Sequence, residues 1–307
     1  MRKNKLAASA IAAALCISVL TGCTIRDFDP TVFMARQTNE GTYTDSENGN
    51  EQQKESNEDK DSGLPAIKVL GVNPLEINDT AMNELSKLAR VSVEIIAQDS
   101  DKEFIFAKKA GELLASEETN GLVAVCDESN AEELQFLLEL TTSSEKPVVF
   151  VKSEAEIYNG VIKAAENKGE IKTGDIEKKV HIDISHVSEF PQVAVVYDWT
   201  CMDTAFLEYV FDSYDGIIIA AAGNGAFSQN TADFVAESKR KPVIVRASRD
   251  NNGNVIKGEG FNDEENHTIA AGTLTPAKAR ILLMAALAVN KDDAGIWQIF
   301  EKYSDGV

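Results

Sequence analysis

The chain has few of the residues from which most metal and cofactor sites are built. Its three histidines, His181, His186 and His267, are too scattered to give a metal-ligand spacing. It has no glycine-rich loop with the spacing of a phosphate-binding motif. Beyond residue 23 only Cys126 and Cys201 remain, which are too few for a disulfide framework, and the sequence leaves open whether they pair. We therefore predict neither a metal nor a cofactor.

The chain also has few positively charged residues relative to its acids. The 307 residues carry 30 lysines and arginines against 50 aspartates and glutamates, which gives a net charge of −20. Such a chain is repelled by nucleic acid and by anionic membrane surfaces, so neither is expected as a partner. The acids are densest between residues 45 and 62, where almost no apolar residue occurs. Because this composition cannot offset its ordering entropy, we expect residues 23–63 to form a disordered acidic tether.

The first residues have the pattern of a bacterial lipoprotein signal peptide. A basic start precedes an apolar stretch, Leu6–Leu20, that is too short to span a bilayer. Leu20–Cys23, with the sequence LTGC, looks like a lipobox, in which residues 1–22 are removed and the thiol of Cys23 is acylated. We expect a cell-envelope protein, lipid-anchored to a bacterial membrane and facing the periplasm or the exterior. The alternative is a soluble secreted product that is cut nearby.

Short apolar runs alternate with longer amphipathic runs over the rest of the chain. The short runs are rich in β-branched residues and predict strands, at residues 67–72, 91–96, 121–126, 147–151, 193–197, 216–221 and 242–247. The amphipathic runs predict helices, at residues 79–88, 102–115, 131–140, 157–167, 203–211, 231–238, 276–289 and 296–303. We predict an α/β fold of two sequential domains, 64–172 and 191–307, with mainly parallel sheets flanked by helices and a linker at 173–190. Ligands are expected where strand ends face a crevice.

The C-terminal half carries four short motifs in order. They are CMD at residues 201–203, GNG at 223–225, VIVRASR at 243–249 and GTLTPAKAR at 272–280. Together they resemble the C-terminal domain of the bacterial L-asparaginase family, although Cys201 stands where that family has a glycine. The resemblance implies an asparaginase-like two-domain fold, amide hydrolysis, and a homodimer or tetramer in which Asn224 helps to complete the partner subunit's pocket. Arg246 and Arg249 are expected to serve structural pairing between subunits or helices.

The N-terminal half resembles the same family more faintly, and its catalytic positions do not match. Gln98 aligns with the glutamine of the family's SQD motif, which holds the amino-acid end of the substrate. Where the family's first strand ends in TGGTI, residues 70–74 read LGVNP and carry no hydroxyl. Where the family has HGTDT, residues 126–130 read CDESN, so Glu128 and Ser129 take the places of a threonine and an aspartate. The tyrosine of the resembled family's mobile loop has no counterpart in this sequence. Lys172 is a poor candidate for that family's active-site lysine.

The residues at this second segment have simpler interpretations. Ser129 and Glu132 have the spacing of a capping box, so Ser129 is expected to cap the following helix. Cys126 precedes a helix N-terminus, which activates a thiol, but the acids that follow disfavour a thiolate, and we expect a buried and unreactive cysteine. Asp127 and Glu128 are either a solvated pair in a first helical turn or the mouth of a cation- or amine-selective pocket.

The sequence thus predicts no catalytic residue and three candidate ligand contacts, Gln98, Glu128 and Asn224. The leading hypothesis is a lipid-tethered protein of asparaginase fold without amide hydrolysis, which acts in binding or assembly at the cell envelope. One alternative is an active amidohydrolase that uses Cys126 or Glu128. Another is a protein that binds a small amino acid through Gln98 and Asn224 without turnover.

Overall fold

Two four-stranded parallel sheets form the framework of the protein. The computed structural model describes residues 63–75, 77, 79–98, 102–169, 180–238, 242–250, 253–289 and 292–304. The predicted signal peptide, Cys23 and the tether up to residue 62 lie outside the described residues, as does Lys172.

The first sheet has the strand order β2-β1-β3-β4. Its strands are β1 (Ala66–Val72), β2 (Arg90–Ile96), β3 (Gly121–Val125) and β4 (Val148–Val151). Its helices are α1 (Asp79–Leu85), α2 (Lys102–Ala115), α3 (Ala131–Thr141) and α4 (Ile157–Ala165). The chain passes from β1 to β2 on one side and then returns to β3 on the other. This reversal makes the carboxyl ends of β1 and β3 the topological switch point, where open α/β sheets bind ligands.

The second sheet has the sequential order β5-β6-β7-β8. Its strands are β5 (Val193–Tyr197), β6 (Gly216–Ala221), β7 (Val243–Ser248) and β8 (Thr268–Ala270). Its helices are α5 (Thr204–Ser213), α6 (Gln229–Glu237), α7 (Asp263–Asn266), α8 (Pro276–Val289) and α9 (Asp293–Ser304).

The two sheets share one hydrophobic core. Ile67 of β1 packs in an outer cluster with α1 and α4, whereas Leu70 packs in a central cluster with α2 and α3. The central cluster continues into the second sheet through Ile218 and includes α8 and α9. Helices α2, α3, α8 and α9 therefore lie between the sheets. Helices α5 and α6 cover the outer face of the second sheet.

The predicted α/β class, with two parallel sheets flanked by helices, is confirmed. The helices predicted at residues 102–115 and 276–289 have the predicted bounds. The helix predicted to reach Leu88 ends at Leu85, because the chain turns back there to begin β2 at Arg90. Strand β8 and helix α7 were not predicted, since three and four residues are too short to show a period.

Gly160 allows α4 to approach the first sheet closely. A Cβ atom at this position would lie 2.9 Å from Cγ1 of Val151 and 3.1 Å from Cγ1 of Val123. Gly160→Ala is expected to lower the free energy of unfolding by about 1–3 kcal/mol, because valines held in a sheet cannot move aside. Gly111→Ala on α2 is the matched control. It should raise the free energy of unfolding by about 0.5–1 kcal/mol, since nothing lies within 4 Å of a Cβ atom added at Gly111. Urea denaturation measures both, and stabilisation by both changes would contradict the close packing.

Candidate functional site

A cavity of about 240 Å³ opens at the carboxyl edge of the first sheet. The segments that follow all four strands contribute to its wall, so it lies at the switch point between β1 and β3. We call it the strand-end cavity. Its polar lining side chains are Asn73, Gln98, Lys102, Glu103, Asp127, Asn130, Lys152, Ser153 and Glu154.

The structure places the three predicted ligand contacts in different surroundings. Gln98 follows β2, is exposed, and lines the strand-end cavity. Glu128 is exposed near the same cavity and contacts Lys152, which does line it. Asn224 belongs to the second sheet and is not part of the cavity wall. Within one chain, only the first two of these residues are therefore associated with the cavity.

An ion pair joins the loops that follow β3 and β4. Nζ of Lys152 donates to Oε1 of Glu128 at 2.9 Å. This hydrogen bond, reinforced by charge attraction, lowers the pKa of Glu128 and raises the pKa of Lys152. Lys152 is therefore protonated at neutral pH and does not serve as a base.

A hydrogen bond between Glu103 and Asn130 connects the first turn of α2 to the N-cap of α3 in the cavity wall. Nδ2 of Asn130 donates to Oε1 of Glu103 at 3.3 Å, and Oδ1 of Asn130 is buried without a partner among the described residues. The capping box predicted at Ser129 is wrong. Helix α3 begins one residue later, at Ala131, with Asn130 in the N-cap position and no side-chain capping bond. The side chain of Asn130 turns to Glu103 instead of to its own helix.

An apolar side chain covers the end of β1, in the segment where the resembled family has TGGTI. A Cβ atom at Gly71 would lie 2.4 Å from Cδ2 of Leu75, so Leu75 covers this glycine directly. Among the described residues of the cavity wall, Ser153 is the one side chain with a hydroxyl. No described residue acts as a base hydrogen-bonded to that hydroxyl. The wall therefore offers a hydroxyl without the means to activate it.

Cys126 is buried at the end of β3. Its Sγ donates to the carbonyl oxygen of Val151 at 3.7 Å, and only 9% of the residue is exposed. This agrees with the expectation of a buried structural cysteine. Cys201, in contrast, is exposed and has a φ of 62°, a left-handed conformation that suits the glycine found at this place in the resembled family.

A buried arginine fixes the loop that carries Asn224. Arg246 of β7 is completely buried, and its guanidinium contacts both carboxylate oxygens of Asp263, at 2.6 and 2.7 Å. It also donates to the carbonyl oxygens of Gly225 at 3.0 Å and Ile256 at 3.2 Å. The turn at Asn224 has φ values of 57° at Gly223 and 77° at Gly225, which favour glycine.

Arg249 also makes its contact within one chain, to a strand end and not to a helix, and pairing between subunits stays a prediction. Its Nη1 donates to the carbonyl oxygen of Asp198 at 2.9 Å, which ties the end of β7 to the end of β5. Both arginines therefore hold strand ends and loops of one chain together.

The described residues contain no group of three or more potential metal ligands. Among the same residues, no helix is long and apolar enough to cross a membrane.

Comparison with known proteins agrees with the motifs and the fold. Residues 192–300 match the model of the glutaminase/asparaginase C-terminal domain. The chain is similar to L-asparaginase 2 of Escherichia coli strain K12, with 26% identity over 79% of this chain and 89% of the relative. It is similar to L-asparaginase 2 of Bacillus subtilis strain 168, with 27% identity over 76% of this chain and 80% of the relative. A probable periplasmic L-asparaginase of Haemophilus influenzae is 25% identical over 73% of this chain and 83% of the relative.

The chain carries a glutaminase/asparaginase C-terminal domain and is similar to bacterial L-asparaginases over most of its length. Its asparaginase-like C-terminal domain contains the sheet that carries Asn224 and Arg246. Glu103, Asn130 and Lys152 are among the cavity residues that sequence reasoning did not find. Lys152 directly follows β4, so a search of the predicted strand ends for polar side chains would have found it. Glu103 and Asn130 lie at the starts of α2 and α3, several residues beyond the strand ends.

Asp263→Asn tests the buried pair that holds the asparagine loop. The change keeps the shape of the side chain but leaves a buried guanidinium without its counter-charge. The free energy of unfolding should fall by about 3–5 kcal/mol. Glu84→Gln is the control, because it removes an ion pair with Lys87 in which the two side chains are 57% and 69% exposed. It should change the free energy of unfolding by less than about 0.5 kcal/mol. Denaturant unfolding measures both, and equal effects would contradict a structural role for Arg246.

The two cysteines of the described residues should differ in reactivity. When the full chain is treated with N-ethylmaleimide at neutral pH, Cys201 should be labelled at least about tenfold faster than Cys126, because only Cys201 is exposed. Peptide mapping separates both sites from the cysteines near the N-terminus. In denaturant the two rates should become similar. Fast labelling of Cys126 in the native protein would contradict its burial.

Proposed function

We propose that this chain is an asparaginase-fold lipoprotein of the cell envelope that binds a small ligand, or supports assembly, without hydrolysing amides. The observation that carries this proposal is the state of the cavity wall. Its one hydroxyl among the described residues, on Ser153, is paired with no base, and Leu75 covers Gly71 at the end of β1. Such a wall supports binding better than covalent catalysis.

Amide hydrolysis of the asparaginase type requires an activated hydroxyl, a base within hydrogen-bond reach, and donors for the developing oxyanion. Lys152 is engaged with Glu128, and its raised pKa removes it as a base. When a nucleophile acts as part of such a unit, its loss costs about as much as loss of the whole unit. We therefore propose that little amide hydrolysis remains.

The location in the proposal comes from the sequence. The pattern of residues 1–22 followed by Cys23 supports export and lipid attachment, and the acidic segment up to residue 63 supports a tether that holds the globular part away from the membrane. The Haemophilus influenzae relative is named a probable periplasmic enzyme, which agrees with an exported protein. We also propose a homodimer or tetramer, in which Asn224 faces the partner subunit's cavity.

The names of the relatives favour a second candidate function. They are L-asparaginases and, in Pseudomonas fluorescens, a glutaminase-asparaginase. An active amidohydrolase would here have to use residues other than those of the resembled family, namely Cys126 or Glu128. Burial of the Cys126 thiol and the ion pair of Glu128 make both poorly suited to attack a carbonyl.

Ammonia release from asparagine and glutamine distinguishes the two functions. The full chain in mild detergent should release no more ammonia than a blank without protein, with the Escherichia coli relative as a positive control. Clear turnover would contradict the proposal. In that case Cys126→Ala and Glu128→Ala would show which side chain supports the reaction, since the responsible change would abolish ammonia release.

A further inference from the structure

A second cavity lies at the edge strand of the second sheet. It has a volume of about 440 Å³ and is enclosed by β5, α8 and the starts of α2 and α3. We call it the β5 cavity. Its volume falls within the range of about 300–1,000 Å³ that is typical of small-molecule pockets. The proposed function does not involve it.

Arg280 of α8 supplies a positive group to this cavity. Its Nε donates to the carbonyl oxygen of Val193 at 3.0 Å, which holds the side chain against the start of β5. Its Nη1 and Nη2 bond to no described residue, and neither belongs to the fully buried atoms that lack a partner. Both Nη groups are therefore open to a ligand. Together they form the fork that a carboxylate accepts from in two parallel hydrogen bonds.

Glu133 supplies a negative group from the facing helix. It lies in the first turn of α3, where the helix dipole alone accounts for an acid. Its carboxylate also lines the β5 cavity, bonds to no described residue and is not fully buried. None of the described ion pairs joins it to Arg280. The cavity therefore presents opposite charges from two helices that do not neutralise each other directly.

The balance of these charges determines what kind of ligand fits. Glu103, whose Oε1 accepts from Asn130, is a second acid of the wall, so two carboxylates stand against one guanidinium. A plain anion would be repelled by the acids. A plain amine would leave the Nη groups of Arg280 without an acceptor. A ligand that carries both a carboxylate and an ammonium group satisfies both sides of the cavity.

The rest of the wall is mainly apolar. Phe104 of α2, and Ile281 and Met284 of α8, are core residues that also line the cavity. Val195 and Tyr197 contribute from alternate positions of β5. A polar side chain would lose its hydrogen bonds to water against such a surface. The remainder of the ligand is therefore apolar.

We infer that the β5 cavity binds a zwitterionic amino acid with an apolar side chain. Its carboxylate accepts from Nη1 and Nη2 of Arg280, and its ammonium group lies at the carboxylate of Glu133. The apolar side chain packs among Phe104, Ile281 and Met284. This is a second site, separate from the strand-end cavity, and it does not depend on the absence of amide hydrolysis.

Calorimetric titration of the full chain in mild detergent tests the inference. L-Leucine should give saturable heat. Two compounds that each lack one of its charged groups are the comparison: 4-methylpentanoate has no ammonium group, and 3-methylbutylamine has no carboxylate. Each should bind at least about tenfold more weakly than leucine, the loss expected for hydrogen bonds to a charged group.

Glu133→Gln separates binding from simple destabilisation. The change removes a charge that has no partner among the described residues, so the thermal midpoint should not fall. Leucine binding should weaken at least about tenfold. Binding of 4-methylpentanoate should instead become tighter, because a repelling charge is lost. Glu132→Gln, at the exposed neighbouring position outside the cavity wall, is the matched control and should bind all three compounds as the wild type does.

Arg280→Lys tests the carboxylate contact. A lysine keeps the positive charge but has a single donor group, which cannot hold both the carbonyl oxygen of Val193 and a carboxylate fork. Leucine binding should weaken about tenfold. A wild-type titration without heat, equal affinity for the three compounds, or unchanged leucine binding in either cavity variant that folds would overturn the inference. An equal loss in Glu132→Gln would overturn it as well.

Ammonia release measured on the same samples keeps the two proposals apart. Turnover of asparagine with leucine binding intact overturns only the proposed function. A flat leucine titration without turnover overturns only the inference of an amino-acid ligand in the β5 cavity.

Discussion

The buried guanidinium of Arg246 is the constraint on which the asparagine loop depends. A buried cation is tolerated only if its donors find acceptors, so Asp263 and the carbonyl groups of Gly225 and Ile256 must converge on β7. Thr268 adds a hydrogen bond to Asp263 at 2.6 Å, which brings β8 into the same network. Desolvation of both charges offsets much of their attraction. The pair therefore contributes geometry to the loop more than net stability.

The first sheet holds its strand ends by different means. The side-chain contacts described at those ends are apolar, such as Leu75 on Gly71, weak, such as the Cys126 thiol on the carbonyl of Val151, or exposed, such as the ion pair of Lys152 with Glu128. The register of β1 with β2 and β3 is set by backbone hydrogen bonds and buried apolar side chains. The crevice at the switch point therefore follows from topology, and the side chains around it can change without loss of the fold.

Local patterns predicted most of the fold and little of the site. Helix α2 was predicted with its observed bounds, because its buried and exposed positions follow the helical period over 14 residues. Gln98 was found because it aligns with the glutamine of the resembled family's SQD motif. Asn130 was misjudged, since the capping pattern at Ser129 is a local signal and a tertiary contact to Glu103 outweighed it. That contact joins two helices whose separation no local spacing encodes.

Glu103 shows how local and tertiary preferences act on one side chain of the cavity. It lies in the first turn of α2, where the helix dipole favours an acid by about 0.3–1 kcal/mol. This preference alone would account for a carboxylate at the position. The same carboxylate also accepts from Nδ2 of Asn130 at 3.3 Å, so it links the start of α2 to the start of α3. The helix dipole is a local effect that the sequence predicts, whereas the link to Asn130 depends on the packing of the two helices, which brings residues 27 positions apart into contact.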